Sequence, residues 1–240
     1  MQNEIIRKRK SVRKYEAMPL DATAIEKVHE LIKSVKPLYP EIRYSIEIVN
    51  KTKGMFNIKA PQYLVFGSEE KDGMYENIGF IGQQLDLKFS EMGIGTCWLG
   101  ASKPGEKEYS ALPHVICMAF GKPAESLHRQ SSEFKRKQLS VISEGSDKRL
   151  EAARLAPSGV NAQNWYFIAS KNKIHCYRKK SNPLIGFILN NMGSIDMGIA
   201  ICHIAEESEN FRFVKEDDVP ERKGCVYMGT VVEIKPPQSH

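Results

Sequence analysis

The chain has 240 residues, of which 41% are hydrophobic and 27% are charged, so it is long enough for one large domain or two small ones. Its formal net charge of +6 is compatible with an anionic ligand but does not demand one. The sequence holds no apolar run of the roughly 18–20 residues that a membrane-spanning helix needs, and no apolar signal segment follows its first residues. We therefore expect a cytoplasmic protein with no membrane partner.

The cysteines and histidines give little support to a disulfide framework or a metal site. There are five cysteines, an odd number without a CxxC pair, and six histidines without an HxxxH or HxH pair. Cys117, Cys176 and Cys225 lie in apolar, strand-like runs, which favours buried and reduced thiols. No bound metal is expected.

The first part of the chain predicts alternating helices and strands. Asp21 can cap the first helix, because apolar residues follow it at helical spacing to about Val35. The predicted elements, in chain order, are a helix over 21–35, a half-buried strand around 44–48, a polar loop over 51–60, a central strand over 63–66, a long helix over 76–92 that stops at Gly93, and a buried strand over 115–120.

A polar stretch over 124–146 lacks periodicity and predicts an extended connector, after which a second set of elements begins. This set comprises a helix carrying Leu150, Ala153 and Leu155 that Ser146 or Asp147 can cap, a hairpin of strands over 165–169 and 174–177, a helix over 193–205 and a strand over 225–234. The two long helices open alike, with 77–81 resembling 191–195. We interpret this as an internal duplication, with halves at 1–143 and 144–240.

Basic residues and a hydroxyl alternate near the start of the chain, in Arg9-Lys10-Ser11-Val12-Arg13. Guanidinium groups bind phosphate oxygens bidentately, and a serine hydroxyl can add a hydrogen bond. A phosphate site is one interpretation of this segment. A solvated basic arm is the other, and the segment alone does not decide between them.

Two further segments suit a flat heterocyclic ligand. The first, 156–165, gathers Pro157, Ser158, Asn161 and Gln163, and carboxamides offer both donors and acceptors to the polar edge of a ring. The second, 93–101, contains three glycines that would let the main chain approach a ring closely. The alternatives are a locally hydrogen-bonded connection and a helix C-cap leading into a core strand.

Together these segments resemble the FMN-dependent nitroreductase family. That family has an R-x-S-x-R segment, an A-P-S-x-x-N-x-Q-P-W segment, a G-x-G-T/S-C-W-I-G segment after a long helix, a strand ending in G-x-P and a closing R-K-x-L. The matching segments here are 9–13, 156–165, 93–100, 120–123 and 136–139. Asn164 stands where the family usually has proline.

The order of these segments departs from the family pattern. In the family the A-P-S segment follows the arginine segment by about one helix, whereas here it appears only at Ala156. Each half of the chain thus holds part of the set. The resemblance implies an α+β, nitroreductase-like fold of the fused branch, in which two half-units form an intrachain pseudo-dimer. We expect a monomer with a single FMN site.

The resemblance also implies roles for individual residues. Arg9 and Arg136 would hold the FMN phosphate, with Lys135 or Lys137 as helpers. Arg13 would stabilise negative charge at the pyrimidine edge of the reduced ring. The other implied cofactor contacts are Lys10 and Ser11 on the ribityl-phosphate side, Trp98, Leu99 and Gly100 facing the ring with a main-chain N–H of Gly100 or Ala101 directed at N5, and Pro157, Ser158, Asn161 and Gln163 closing the site.

The implied activity is hydride transfer from NADH or NADPH through flavin N5 to a small-molecule acceptor such as a nitroaromatic, a quinone or a flavin. No residue of the protein need act as acid or base, because the cofactor performs the difficult step. The sequence lacks a GxGxxG fingerprint, so the nicotinamide would bind over the flavin. Residues 50–60 or 178–190 are candidate lids.

Two other functions remain compatible with the sequence. One is an FMN-binding carrier or sensor without turnover, because the same contacts serve binding and catalysis. The other is a nucleic-acid-binding protein that uses the basic N-terminal arm. The basic arm lacks interleaved aromatic residues and an evident recognition helix, which disfavours nucleic acid as a partner.

Overall fold

The computed structural model describes residues 3–54, 58–105, 110, 112–180 and 186–234, and of 186–189 the backbone alone. The helices are α1 Ala22–Ser34, α2 Met74–Glu91, α3 Leu139–Ile142, α4 Leu150–Leu155 and α5 Gly186–Glu206. The strands are β1 Tyr44–Val49, β2 Thr52–Gly54, β3 Gln62–Ser68, β4 Gly95–Leu99, β5 Ser102–Pro104, β6 His114–Gly121, β7 Ser143–Glu144, β8 Trp165–Ser170, β9 Lys173–Lys179, β10 Phe211–Val214 and β11 Cys225–Glu233.

Two antiparallel sheets share one strand order. The first sheet runs β1-β3-β6-β4, and the second runs β10-β11-β9-β8 before it is extended by β7. Read from β8, the second order is β8-β9-β11-β10, which repeats the first when strands are matched by their position along the chain. Strand β7 is parallel to β8 and carries the end of the 124–142 connector onto the second sheet.

The long helices α2 and α5 pack against each other between the two sheets. Buried residues occur all around α5, as expected for a helix enclosed on every side. Gly79 of α2 faces the main chain of Ile195, and Gly198 of α5 faces the main chain of Glu76. A Cβ at either glycine would overlap the facing carbonyl oxygen, so these glycines allow the two backbones to approach closely.

Most of the predicted elements are confirmed. Asp21 caps α1 by accepting a 2.8 Å hydrogen bond from the Ala24 N–H. Strand β3 is buried throughout and lies inside its sheet, as its unbroken apolar run predicts. The helix predicted over 76–92, the strands predicted around 44–48, over 115–120 and over 225–234, and the hairpin around Lys171 are also present.

Several local predictions are wrong. Helix α5 begins at Gly186 and passes through Gly193, because one interior glycine costs only about 1 kcal/mol and does not end a helix that is packed on its other residues. Arg149, and not Ser146 or Asp147, is the N-cap of α4, while Asp147 accepts the Arg149 N–H at 2.9 Å. The polar loop over 51–60 contains β2, and β10 was not predicted. Residues 55–57 and 181–185 of the two candidate lids lie outside the described residues.

The cysteines are free, and four of the five are buried. Cys117 and Cys176 are buried as predicted, whereas Cys225 is half-buried at the start of β11. Among the described residues no group of His, Cys, Asp and Glu side chains is arranged to hold a metal ion. None of the described helices combines the length and apolar character that crossing a membrane requires.

Candidate functional site

Three arginines converge beside the N-terminal segment and form what we call the arginine cluster, Arg9, Arg129 and Arg136. Arg9 is 1% exposed, and its Nε lies 3.0 Å from Oδ2 of the equally buried Asp86. The guanidinium carbons of Arg129 and Arg136 lie 4.6 Å and 5.6 Å from the centre of the Phe134 ring. The cluster therefore joins the start of the chain, helix α2 and the 124–142 connector.

The cluster carries more positive charge than its acidic neighbours neutralise. Burial lowers the pKa of Arg129, and the charge of Arg9 lowers it further. Burial also lowers the pKa of Arg136 to about 10, again with contributions from the other two arginines. Asp86 pairs with Arg9, and the exposed Glu133 raises the pKa of Arg129 more than Asp86 does. Three guanidinium groups against two carboxylates leave an excess of positive charge, which suits a phosphate.

Buried donor atoms of the cluster have no acceptor within the described protein. These atoms are Arg9 Nη1, Arg129 Nε and Arg136 Nε. Buried donors are nearly always paired in folded proteins, because an unpaired one costs about 1–3 kcal/mol. Because all three atoms belong to the arginine cluster, the cluster is a candidate site for an external anion.

Main-chain pairing holds the N-terminal segment in this position. Residues 10–14 run without a helix, and the Val12 N–H donates to the Thr96 carbonyl of β4 at 2.8 Å. The Arg129 N–H donates to the Lys8 carbonyl at 2.8 Å, which draws the connector alongside the segment. The residues that predict a phosphate site therefore lie in an extended segment held by main-chain hydrogen bonds, and not in a free basic arm.

The remaining predicted residues of this segment lie at its edge. Ser11 Oγ accepts from Arg9 Nη2 at 3.4 Å. The Arg13 N–H donates to Glu125 Oε1 at 2.7 Å, and its side chain is exposed. Lys10 Nζ lies 3.6 Å from the other oxygen of Glu125. Glu125 therefore neutralises part of the positive charge of the basic segment that the sequence predicts to bind the ligand.

The loop after α4, which we call the closing loop (residues 157–163), has an unusual backbone. Val160, Asn161 and Gln163 have φ values of 46°, 58° and 50°. Residues other than glycine rarely adopt this left-handed region, and a β-branched valine does so at a cost. Surrounding contacts must therefore hold the loop in place.

Those contacts come mainly from the basic segment 135–137. Arg136 Nη1 donates to Asn161 Oδ1 at 2.7 Å, and Asn161 Nδ2 donates to the Lys135 carbonyl at 2.8 Å. Gln163 Oε1 accepts the Lys137 N–H at 2.7 Å. The structure thus brings together two segments that are more than twenty residues apart and that the sequence assigns to opposite halves.

Within the loop, Ser158 and Gln163 are also tied to each other. The Gln163 N–H donates to Ser158 Oγ at 3.0 Å, and Gln163 is 3% exposed. Pro157 is buried at the start of the loop. Lys137 Nζ donates to the Ala162 carbonyl at 2.6 Å, so this lysine, a predicted phosphate helper, is engaged with the loop.

Met192 of α5 connects the closing loop to the glycines after α2. A Cβ on Gly100 would overlap the Met192 methyl group, and a Cβ on Gly159 would lie 3.3 Å from the same atom. The exposed Gly100 and Gly159 of the closing loop therefore both lie against the methyl group of this side chain. One turn further along α5, Asp196 Oδ1 accepts the Gly159 N–H at 2.9 Å.

The side chains of Trp98 and Leu99 lie on opposite faces of β4, as successive strand residues must. Trp98 stacks on Phe66 at 5.6 Å and donates through Nε1 to Gln83 Oε1 at 3.2 Å. Leu99 packs with the buried Cys97 on the other face. The two side chains do not share one face, so the ring-facing role implied for both can hold for only one of them.

A buried network of polar side chains holds Asp86, the acid that pairs with Arg9. Asp86 accepts from Gln83 Nε2 at 2.7 Å and from the Thr96 hydroxyl. Gln83 Nε2 also lies 3.1 Å from His203 Nε2, and His203 Nδ1 lies 2.9 Å from the Ala152 carbonyl. Burial lowers the pKa of His203 to about 3, so the ring is neutral and carries its proton on Nδ1.

A family model described as "Putative TM nitroreductase" matches residues 3–208, which is most of the chain. The chain belongs to this family. Membership in a nitroreductase family identifies it as an oxidoreductase. A search of curated proteins finds no match.

Two solved structures are similar to this nitroreductase family member. A "putative nitroreductase" from Thermotoga maritima has 19% identity and a TM-score of 0.66, and the match covers 96% of this chain and 92% of that one. A nitroreductase family protein from Clostridium difficile 630 has 16% identity and a TM-score of 0.46, with 61% and 99% covered. The first of these confirms the expected α+β, nitroreductase-like fold.

Three residues of the candidate site were missed by sequence reasoning: Asp86, Arg129 and Asp196. The two acids stand inside helices among apolar residues, and a lone carboxylate in such a run was an available signal of a functional position. Arg129 lies in a polar connector without periodicity. Only the folded chain shows that it meets Arg9 and Arg136.

A surface groove of about 960 Å³ opens along α1 and the turn after α2. It is lined by charges of both signs, among them Asp21, Lys27, Glu30 and Lys122. None of the arginine cluster and none of the closing loop contributes to it. The groove is therefore separate from the candidate site.

Proposed function

We propose that this chain is an FMN-dependent NAD(P)H oxidoreductase of the nitroreductase type, with one FMN site shared between its two halves. The observation that carries the proposal is the arginine cluster, which combines an excess of positive charge with buried donors that lack an acceptor. A phosphate supplies both the charge and the acceptors that the cluster lacks.

The residues present fit the phosphate end of FMN. Arg9 Nη1, Arg129 Nε and Arg136 Nε are the donors, and Arg136 is oriented by its hydrogen bond to Asn161. Lys10 and Ser11 lie at the rim. Arg129 replaces Lys135 or Lys137 as the third cation, because Lys137 Nζ is bound to the closing loop.

The residues near Met192 fit the ring end. Gly100 and Gly159 of the closing loop both lie against the Met192 methyl group, so one flat ligand can meet the main chain of both segments. The implied roles of Arg13, Gly100, Ser158, Asn161 and Gln163 are part of this proposal. Bound FMN would supply the hydride chemistry, taking hydride from NADH or NADPH and passing it to a nitroaromatic, quinone or flavin. The chain itself binds, orients and shields the cofactor, and we assign it no catalytic acid or base.

Three features support an intrachain pseudo-dimer that acts as a monomer. The sheets repeat one strand order, and Gly79 and Gly198 make reciprocal contacts at the helix crossing. In the first half, Tyr39 lies in the loop after α1, as Gly159 does in the loop after α4. The Tyr39 ring packs on Phe213 with ring centres 5.8 Å apart and covers Gly73. This packing supports a single site per chain, shared by halves that we propose to meet near residues 143 and 144.

The alternative of nucleic-acid binding loses part of its support. In the N-terminal arm Arg7 pairs with Glu207 at 2.8 Å, and Arg9 is 1% exposed. A nucleic acid contacts cations at the protein surface, and a side chain as buried as Arg9 does not contribute to such a surface. No specific contact favours a carrier or sensor over an enzyme.

The test is an absorbance spectrum of the protein reconstituted with FMN, taken before and after anaerobic addition of NADH or NADPH. We expect flavin bands that persist through gel filtration and bleach with one of the two reductants. Bands that do not bleach would support a carrier or sensor instead. Protein that retains no FMN would contradict the proposed function.

A further inference from the structure

Asp196 is a buried acid of α5 that contacts the closing loop. It is 6% exposed, and its Oδ1 accepts the Gly159 N–H at 2.9 Å. Gly159 immediately precedes the left-handed residues Val160 and Asn161. Asp196 therefore holds the point at which the closing loop enters its strained conformation.

The first half contains a matching residue, Asn77. Asn77 stands two residues before Gly79, as Asp196 stands two residues before Gly198. Asn77 is fully buried, and its Oδ1 accepts the N–H groups of Leu38 and Tyr39 at 2.8 Å and 3.0 Å. Both side chains thus accept main-chain donors from the loop that follows the preceding helix.

We propose that Asp196 is a positioning residue that fixes the closing loop through Gly159 and thereby determines how tightly the cofactor is retained. Asn77 performs the same anchoring task for a loop that contributes nothing to the site. This inference rests on the proposed function for its cofactor, but the anchoring of the loop is independent of it.

The chemical state of Asp196 agrees with an anchoring role. Burial raises its pKa to about 7, and the Gly159 N–H opposes that rise. Below neutral pH the side chain is therefore mostly uncharged and accepts the N–H as the Asn77 amide does. An asparagine at position 196 should preserve the anchor, whereas an alanine should remove it.

Two hydrogen bonds and a two-residue stretch of chain connect Asp196 to the arginine cluster. Asp196 holds Gly159, Asn161 lies two residues further on, and Asn161 accepts from Arg136. If the loop were released at Gly159, its hydrogen bond to Arg136 would be weakened. Arg136 is the cluster member whose pKa burial lowers to about 10. Loss of the anchor should thus reach the phosphate end of the site.

The test compares Asp196→Ala, Asp196→Asn and Asn77→Ser with the unmodified full chain. FMN binding is followed by flavin fluorescence, and hydrogen exchange of residues 158–162 is followed without FMN. We expect Asp196→Ala to raise the FMN dissociation constant about ten-fold or more and to speed that exchange, as loss of a buried acceptor should. Asp196→Asn should restore both to within about three-fold. Asn77→Ser should lower the melting temperature without changing either quantity.

The outcomes separate the two proposals. Unchanged exchange and unchanged FMN affinity in Asp196→Ala would overturn the positioning role. An equal loss of affinity in Asn77→Ser would also overturn it, because the effect would then be global. If the unmodified chain binds no FMN, the proposed function fails, and faster exchange in Asp196→Ala alone would still establish the anchor.

Discussion

Gly79 and Gly198 occupy reciprocal positions where α2 crosses α5. Each glycine faces the main chain of the residue three positions before the other, Ile195 in one case and Glu76 in the other. Such reciprocity is what a two-fold axis produces at an interface between identical subunits. Here both partners belong to one chain, in which the two sheets repeat one strand order.

Alanine at either glycine should destabilise the fold. The added Cβ would overlap a carbonyl oxygen of the facing helix, and backbone cannot move aside as a side chain can. We expect Gly79→Ala and Gly198→Ala each to cost about 1–3 kcal/mol or more in the free energy of unfolding, measured by urea denaturation. Gly193→Ala is the control, because its neighbour is the flexible Arg178 side chain. Equal stability of all three variants would argue against the close helix crossing.

Removal of Arg136 should weaken FMN binding strongly. Arg136 contributes charge to the cluster and holds Asn161, and hydrogen bonds to charged groups are worth about 1.5–3 kcal/mol. We therefore expect Arg136→Ala to raise the FMN dissociation constant by about 10–100-fold. Arg43→Ala is the control, because Arg43 is exposed and pairs with Glu69 at 3.5 Å. A control variant that loses as much affinity would show that the cluster has no special role.

Ser158→Ala should reduce FMN retention although Ser158 is far in sequence from the arginine segment. Its hydroxyl accepts the Gln163 N–H, and without it the buried Gln163 main chain loses a partner. We expect the rate of FMN loss on dilution to rise about three- to ten-fold. Ser170→Ala, at the exposed end of β8, serves as the comparison. Retention unaffected by Ser158→Ala would mean that the second half does not close the site as proposed.

The pH dependence of stability should reveal the buried acid. Because burial raises the pKa of Asp196 to about 7, the folded protein binds a proton that the unfolded chain releases near pH 4. The stability associated with that proton is complete below about pH 4 and is lost as the pH rises through about 7. Asp196→Asn should therefore gain stability relative to the unmodified protein between pH 4 and pH 8.

Measuring the difference between the two proteins removes other titrating groups from the comparison. Glu76, whose pKa burial raises, and His203, whose pKa burial lowers, are present in both. Melting temperatures at one-unit pH steps are sufficient. A difference that stays constant over the whole range would contradict the assigned titration.

The fold was largely readable from the sequence because its elements have strong local signals. Asp21 marks the start of α1, and the apolar run of β3 marks a strand buried on both faces. Helix α5 was predicted to start at Gly193, seven residues after its observed start at Gly186. In the sequence Asn191 and Gly193 resemble a helix start, and only the fold shows that Gly193 packs against the Arg178 side chain. Such local sequence patterns carry no information about the tertiary packing that decides where a helix begins.

The site was readable only in part, for a related reason. The arginine and closing-loop segments have distinctive compositions, and the structure brings Arg136 to Asn161. Arg129 and Asp196 have no distinctive neighbours in sequence, and their roles arise from contacts across the fold. Trp98 and Leu99 were grouped by a shared segment, although alternation along β4 separates their side chains.

The number of FMN molecules bound per chain tests the central claim most directly. The protein should be titrated with FMN while its mass is determined by light scattering on the same sample. The shared-site account predicts saturation at one FMN per monomeric chain. Saturation at two FMN per chain, or at one FMN bound between two chains, would contradict it.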